Sequence, residues 1–161
     1  PRAEAGDILG ALANIREYWG GMIDLGATTF WEDFNVDWAK NAARIDEMID
    51  NQKIDVHATY GAYCYKGFRH SFCHGWASGP TAWLTKYVLG VTPLDPGCKM
   101  VEITPNLGDL EWVKGTFPTP YGVIKIEHSK KKNGEIISKI DAPKEVKVVR
   151  KKRWSSVIRA K

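Results

Sequence analysis

Long apolar runs are missing from this sequence: nowhere do the ~18 consecutive apolar residues of a membrane span occur, and no basic start with an apolar core opens it as a secretory leader. Cysteine is scarce. Cys64, Cys73 and Cys98 are odd in number, too sparse for a disulfide framework, and none forms a Cys-x-x-Cys metal pair. As free thiols they fit a secreted or periplasmic location as well as a cytosolic one. No glycine-rich loop followed by lysine is present to cradle a phosphate, which sets the common nucleotide sites aside. The first residues are Pro1-Arg2-Ala3, without an initiator methionine, as expected of a processed or truncated product. Tryptophan, by contrast, is plentiful. Five of the seven (Trp19, Trp31, Trp38, Trp76 and Trp83) precede residue 90.

The net charge of +4 conceals an imbalance. Residues 1–90 carry 8 Lys+Arg against 11 Asp+Glu, whereas residues 91–161 carry 15 against 8. A basic half raises the question of a nucleic-acid partner. However, Lys130-Lys131-Lys132 directly precedes Asn133-Gly134, a preferred two-residue hairpin turn, so these lysines belong to a solvated strand end. No base-reading motif accompanies them or Arg150-Lys151-Lys152-Arg153, and no nucleic-acid or membrane partner is predicted.

Periodicity changes at the same place as charge. Ile8, Leu12, Ile15 and Trp19 share one face of a helix over 7–19, which Gly20-Gly21 should end. A second helix is predicted over about 37–50 from Trp38, Ala42, Ile45 and Ile49. A third spans about 77–89, with Pro80 in its first turn and Gly90 as its stop. Beyond Gly90 come short strands: Val101–Ile103, Val123–Glu127, Ile136–Ile140, Glu145–Val148 and a last one within Trp154–Ile158. Pro93, Pro96, Pro105, Pro118 and Pro120 forbid long helices there. The predicted domain boundary is near 90–92, giving domains 1–90 and 91–161. Three helices with five tryptophans expose more apolar surface than they can bury among themselves, and suit packing inside a larger helical body.

Two segments could carry chemistry. In Gly26-Ala27-Thr28-Thr29-Phe30-Trp31-Glu32-Asp33-Phe34, just after Asp24, the Glu32 carboxylate is flanked by aromatic rings; partial desolvation suits proton transfer, and the rings suit the apolar faces of sugars. Spacing alone favours a plainer account, a capping box between Thr29 and Glu32 with the aromatics in a core. The second segment is His70-Ser71-Phe72-Cys73-His74-Gly75-Trp76-Ala77-Ser78-Gly79-Pro80. His70 and His74 have the spacing of a metal pair, but no His-Glu-x-x-His pattern accompanies them, and the glycines argue for an irregular loop entering a helix. A His beside Trp76 on such a loop suits bonding a ligand hydroxyl, and a structural His is an equal reading. No metal or cofactor is assigned.

Both segments, followed in order by Gly90-Val91-Thr92-Pro93-Leu94-Asp95-Pro96-Gly97, Ile103-Thr104-Pro105-Asn106-Leu107-Gly108-Asp109-Leu110 and Lys114-Gly115-Thr116-Phe117-Pro118-Thr119-Pro120-Tyr121-Gly122, resemble bacterial α-L-rhamnosidases of glycoside hydrolase family 78 over residues 7–143. The resemblance implies an α+β multidomain fragment: the last helices of an (α/α)6 barrel in 1–90, then an antiparallel β-sandwich in 91–161. It implies hydrolysis of terminal α-L-rhamnosyl linkages with inversion, by two carboxyl groups ~6.5–9.5 Å apart with a water between. Glu32 matches the general base. His74 and Trp76 match the sugar-pocket lining, Trp31 helps shape that pocket, and Asp24 joins them as a substrate-binding carboxylate. The general-acid segment has no counterpart here, so the chain alone is expected to be inactive and to need the remainder of the barrel upstream of Pro1. The competing readings are an (α/α)6 glycosidase of other sugar specificity, and a carbohydrate-binding or structural module without catalysis.

Overall fold

The computed structural model describes residues 2–48, 52, 53, 55 and 71–150. The Trp38 side chain, Ile49, Cys64, His70 and the strand predicted within Trp154–Ile158 lie outside the described residues. The chain forms two compact units, Pro1–Ala82 and Trp83–Lys161.

In the first unit, α1 (Ile8–Ile15) starts at Asp7, whose carboxylate accepts the Gly10 N–H at 2.8 Å. Ile8, Ala11 and Leu12 are buried, as positions three and four residues apart on one helix face should be. Gly20-Gly21 does not end this helix, contrary to prediction. A π-helical turn over Arg16–Gly20 leads into α2 (Gly21–Asp24), because Gly21 is small for packing: a Cβ there would stand 2.9 Å from Phe34 Cε1. The true stop is Gly26, at φ +91°, where Gly26 N–H donates to Ile23 and Ala27 N–H to Met22, a Schellman closure.

The helix predicted over 37–50 is also corrected. Among the described residues of this stretch only a 3-10 turn forms, Val36–Ala39, capped by Asn35. Asn41 then adopts φ +61°, and the chain doubles back so that Ile45 N–H donates to Leu25 O at 2.9 Å and Arg44 Nη1 to Asp24 O at 2.8 Å. Backbone groups that a helix would have used internally tie down the end of α2 instead. Met22, Leu25, Trp31 and Phe34 form the core beside it. The third helix emerges near its predicted place: a 3-10 turn Gly75–Ser78, α3 (Gly79–Trp83) with Pro80 in its first turn, and a π-helical turn Leu84–Val88. Gly90, at φ +80°, ends it as predicted.

The second unit holds two three-stranded sheets. One is ordered β1 (Val91–Pro93), β2 (Met100–Ile103), β6 (Lys147–Val149); the other β3 (Trp112–Thr119), β4 (Gly122–Lys130), β5 (Ile136–Asp141). All pairs are antiparallel except β2 with β6, which is parallel, so the sheets are antiparallel-rich, with one parallel pair that the expected antiparallel arrangement did not include. β6 reaches β2 by a crossover from the other sheet, which a parallel pair permits and a hairpin does not. β3 was not predicted, because Pro118 speaks against a strand. It is tolerated since β3 is an edge strand. The β4–β5 connection has a three-residue loop, not the predicted two: Lys131 N–H donates to Glu135 O, Gly134 N–H to Lys131 O, and Gly134 takes φ +84°. Lys131 pairs with Glu135 at 2.8 Å and Lys130 Nζ donates to Gly108 O at 2.6 Å, so two of the three clustered lysines are engaged within the protein.

β4 alternates cleanly, with Ile124, Ile126 and His128 buried and Val123, Lys125, Glu127 and Ser129 exposed. The inward side chains join Leu89, Val91, Val101, Ile103 and Val146 in the core. His128 is 0% exposed: Nε2 donates to Leu89 O at 3.1 Å and Nδ1 accepts from Ser138 Oγ at 2.7 Å, which fixes the neutral tautomer. Burial pushes its pKa down from the usual 6.5, and Arg150 adds to the shift against the opposing Leu89 carbonyl. The unfolded chain therefore binds the proton first on acidification. This contribution to stability is complete above about pH 6.5 and is lost as pH falls through the depressed folded value. Thermal melts should show a lower Tm at pH 5 than at pH 7.5, and the His128→Gln chain a shallower slope. An unchanged slope in that variant would assign the acid sensitivity to other groups.

Candidate functional site

After the Gly26 closure the chain runs without helix past Glu32, and no capping box forms. Thr29 instead donates its hydroxyl proton to Phe72 O. This bond is one rung of a ladder that joins the two chemistry-bearing segments, although about forty residues separate them. Glu32 N–H donates to Ser71 O at 2.8 Å and His74 N–H to Phe30 O at 2.7 Å. Ser71 N–H returns to Glu32 Oε2 at 2.7 Å, and Trp76 Nε1–H donates to Glu32 O at 2.7 Å. Glu32 is thus held at its amide, its carbonyl and one carboxylate oxygen. Such a backbone clamp fixes the plane of a carboxylate, which a proton acceptor must offer to a defined face of its substrate.

The aromatic residues divide by role. Trp31 is 0% exposed, packed at 4.7 Å on Phe72 with the rings tilted by 33° and edge-on to Phe34 at 5.9 Å, so it supports the Glu32 segment from beneath and presents no free ring face. Trp76 is 73% exposed, with the half-buried His74 ring edge-on to it at 4.2 Å. Trp19 Nε1–H donates to Ala77 O at 2.8 Å and so anchors the loop that carries His74 and Trp76. Next to the Glu32 segment lies a hollow of about 220 Å³ walled by Trp19, Met22, Ile23 and Ala27 and by Thr28–Phe30.

The fold therefore brings Glu32, His74 and Trp76 together, with Trp31 behind them. Asp24 lies at the exposed end of α2, where its carbonyl, not its carboxylate, carries the described hydrogen bond to Arg44. Sequence reasoning missed Trp19, Thr29, Ser71 and Phe72 as positioning residues. For Ser71 no side-chain signal existed, since its backbone makes the bonds to Glu32, whereas Phe72 contributes both its carbonyl to Thr29 and its ring to Trp31. Among the described residues no group of three or more His, Cys, Asp or Glu side chains could hold a metal ion.

Residues 90–149 match the family described as bacterial alpha-L-rhamnosidase C-terminal domain. Among solved structures, the chain is similar to a rhamnosidase of glycoside hydrolase family 78 from Bacillus sp. GL1, with 26% identity and a TM-score of 0.68. The match covers 93% of this chain and 14% of that one. No curated protein matches significantly.

Proposed function

Because residues 90–149 match the family described as bacterial alpha-L-rhamnosidase C-terminal domain, and the chain is similar over 93% of its length to part of a family 78 rhamnosidase, we propose that it serves an inverting glycosidase acting on terminal α-L-rhamnosyl residues. In this reading residues 1–90 are the last helices of an (α/α)6 barrel and residues 91–161 the trailing sandwich. Glu32 is the general base: it accepts a proton from the water that attacks the anomeric carbon opposite the leaving group. The exposed Trp76 ring offers an apolar face to the sugar, and His74 beside it bonds a hydroxyl. The general acid belongs to the barrel upstream of Pro1, and the chemistry calls for no cofactor.

The observation that carries the proposal is the ladder that clamps Glu32 against the segment of His74 and Trp76. The test is turnover of an aryl α-L-rhamnoside by a longer chain that contains this segment and carries Glu32→Gln. Loss of hydrolysis with sugar binding retained supports the base assignment; unchanged turnover overturns it. Sugar binding by a wild-type chain that never hydrolyses would favour a binding module.

A further inference from the structure

The outward face of β3-β4-β5 has its own organisation, unrelated to Glu32. Strand register places Lys114, Glu127 and Lys139 in one row across the three strands, and Thr116, Lys125 and Asp141 in the next. These six side chains line a hollow of about 380 Å³. Among the described residues, no ion pair engages Lys114, Glu127 or Lys139, and Lys125 meets Asp141 at 4.0 Å with both side chains mostly exposed, a contact that contributes little. One row further, about 7 Å along β3 by strand rise, Trp112 leaves 66% of its surface exposed. A flat apolar ring thus borders a hollow whose ammonium and carboxylate groups are mostly unspent.

We propose that this face binds an acidic polysaccharide, a chain of pyranose rings bearing carboxylates. Trp112 takes the apolar face of one ring. Lys114 and Lys139, with the third lysine, pair with sugar carboxylates, while Glu127, Asp141 and Thr116 accept from hydroxyls. Three ammonium groups against two carboxylates favour an anionic chain over a neutral one. The interspersed Glu127 and Asp141 disfavour the continuous phosphate track of a nucleic acid. The site does not depend on the base assignment, and Glu32→Gln leaves it intact.

Titration calorimetry of the chain with polygalacturonate tests this, with dextran and duplex DNA as comparators. The expected result is binding of polygalacturonate that weakens with salt, with affinity at least about tenfold lower in both Trp112→Ala and the double variant Lys114→Gln/Lys139→Gln. All substituted side chains are exposed, and unchanged thermal melts confirm folding. Absence of binding overturns the proposal, as does equal binding of dextran. Equal binding of DNA, or polygalacturonate binding that survives Trp112→Ala, marks a nonspecific cationic surface and overturns it as well.

Discussion

Glu32→Gln, placed in a rhamnosidase chain that contains this segment, is expected to lower kcat by roughly 10²–10⁴-fold with little change in KM, the range that a positioned acid or base contributes. Glutamine preserves the shape, and its amide oxygen can still accept the Ser71 N–H that now meets Oε2 at 2.7 Å. The backbone bonds to Ser71 and Trp76 do not involve the substituted group at all. What disappears is the capacity to take a proton. A structural role for Glu32 predicts something else: a lower Tm and a KM raised by a displaced Trp76. The pH profile separates the two further, because the acidic limb of kcat/KM reports ionisation of the base and should vanish in the variant. Retention of that limb with full turnover would remove Glu32 from the reaction.

What could be read from sequence followed the periodicity. α1, the third helix and strands β2, β4 and β5 declared themselves through spacings of three, four or two residues, since each buries one face. The failures occurred where a single backbone contact outweighed the pattern. Gly20-Gly21 looks like a stop, yet Gly21 is there for Phe34. Ala42 and Ile45 have helical spacing, but the backbone of residue 45 is drawn to the end of α2. β3 hid behind Pro118, which only its edge position excuses. At the site, residue types drew attention to the segments of Glu32 and of His74 and Trp76, but spacing alone favoured a capping box, and the roles of the three residues came from the family resemblance. Their mutual placement was not legible, because Ser71 and Phe30 act through backbone atoms whose pairing no side chain announces. Trp31 shows the same limit in reverse: the resemblance implied a pocket wall, and the fold buries it against Phe72 and Phe34.

Gly90→Ala should be the most damaging small substitution in the second unit, costing roughly 2–5 kcal/mol. Two effects add. Gly90 sits at φ +80°, and an L-residue pays about 1–2 kcal/mol there. A new Cβ would also run into the carbonyl group of Thr104 and stand 2.6 Å from Pro105 N, atoms of backbone and not of a flexible side chain. Forcing a methyl group into such a place costs a further ~1–3 kcal/mol. Relief by movement is blocked on both sides, since Thr104 N–H donates to Gly90 O at 2.9 Å, and Asn106 N–H to Val88 O at 3.2 Å. Displacing residue 90 would disturb the adjoining Val91–Ile103 pairing and withdraw Leu89 from the core and from His128 Nε2. For a domain of this size the loss corresponds to a Tm lower by about 8 °C or more. Gly134→Ala provides the matched control: φ is +84°, but nothing lies within 4 Å of its Cβ position, so only the ~1–2 kcal/mol of backbone strain remains. Equal melting temperatures for the two variants would show that the close approach of residues 90 and 104 does not hold the second unit together; a clearly larger drop for Gly90→Ala isolates the cost of that contact.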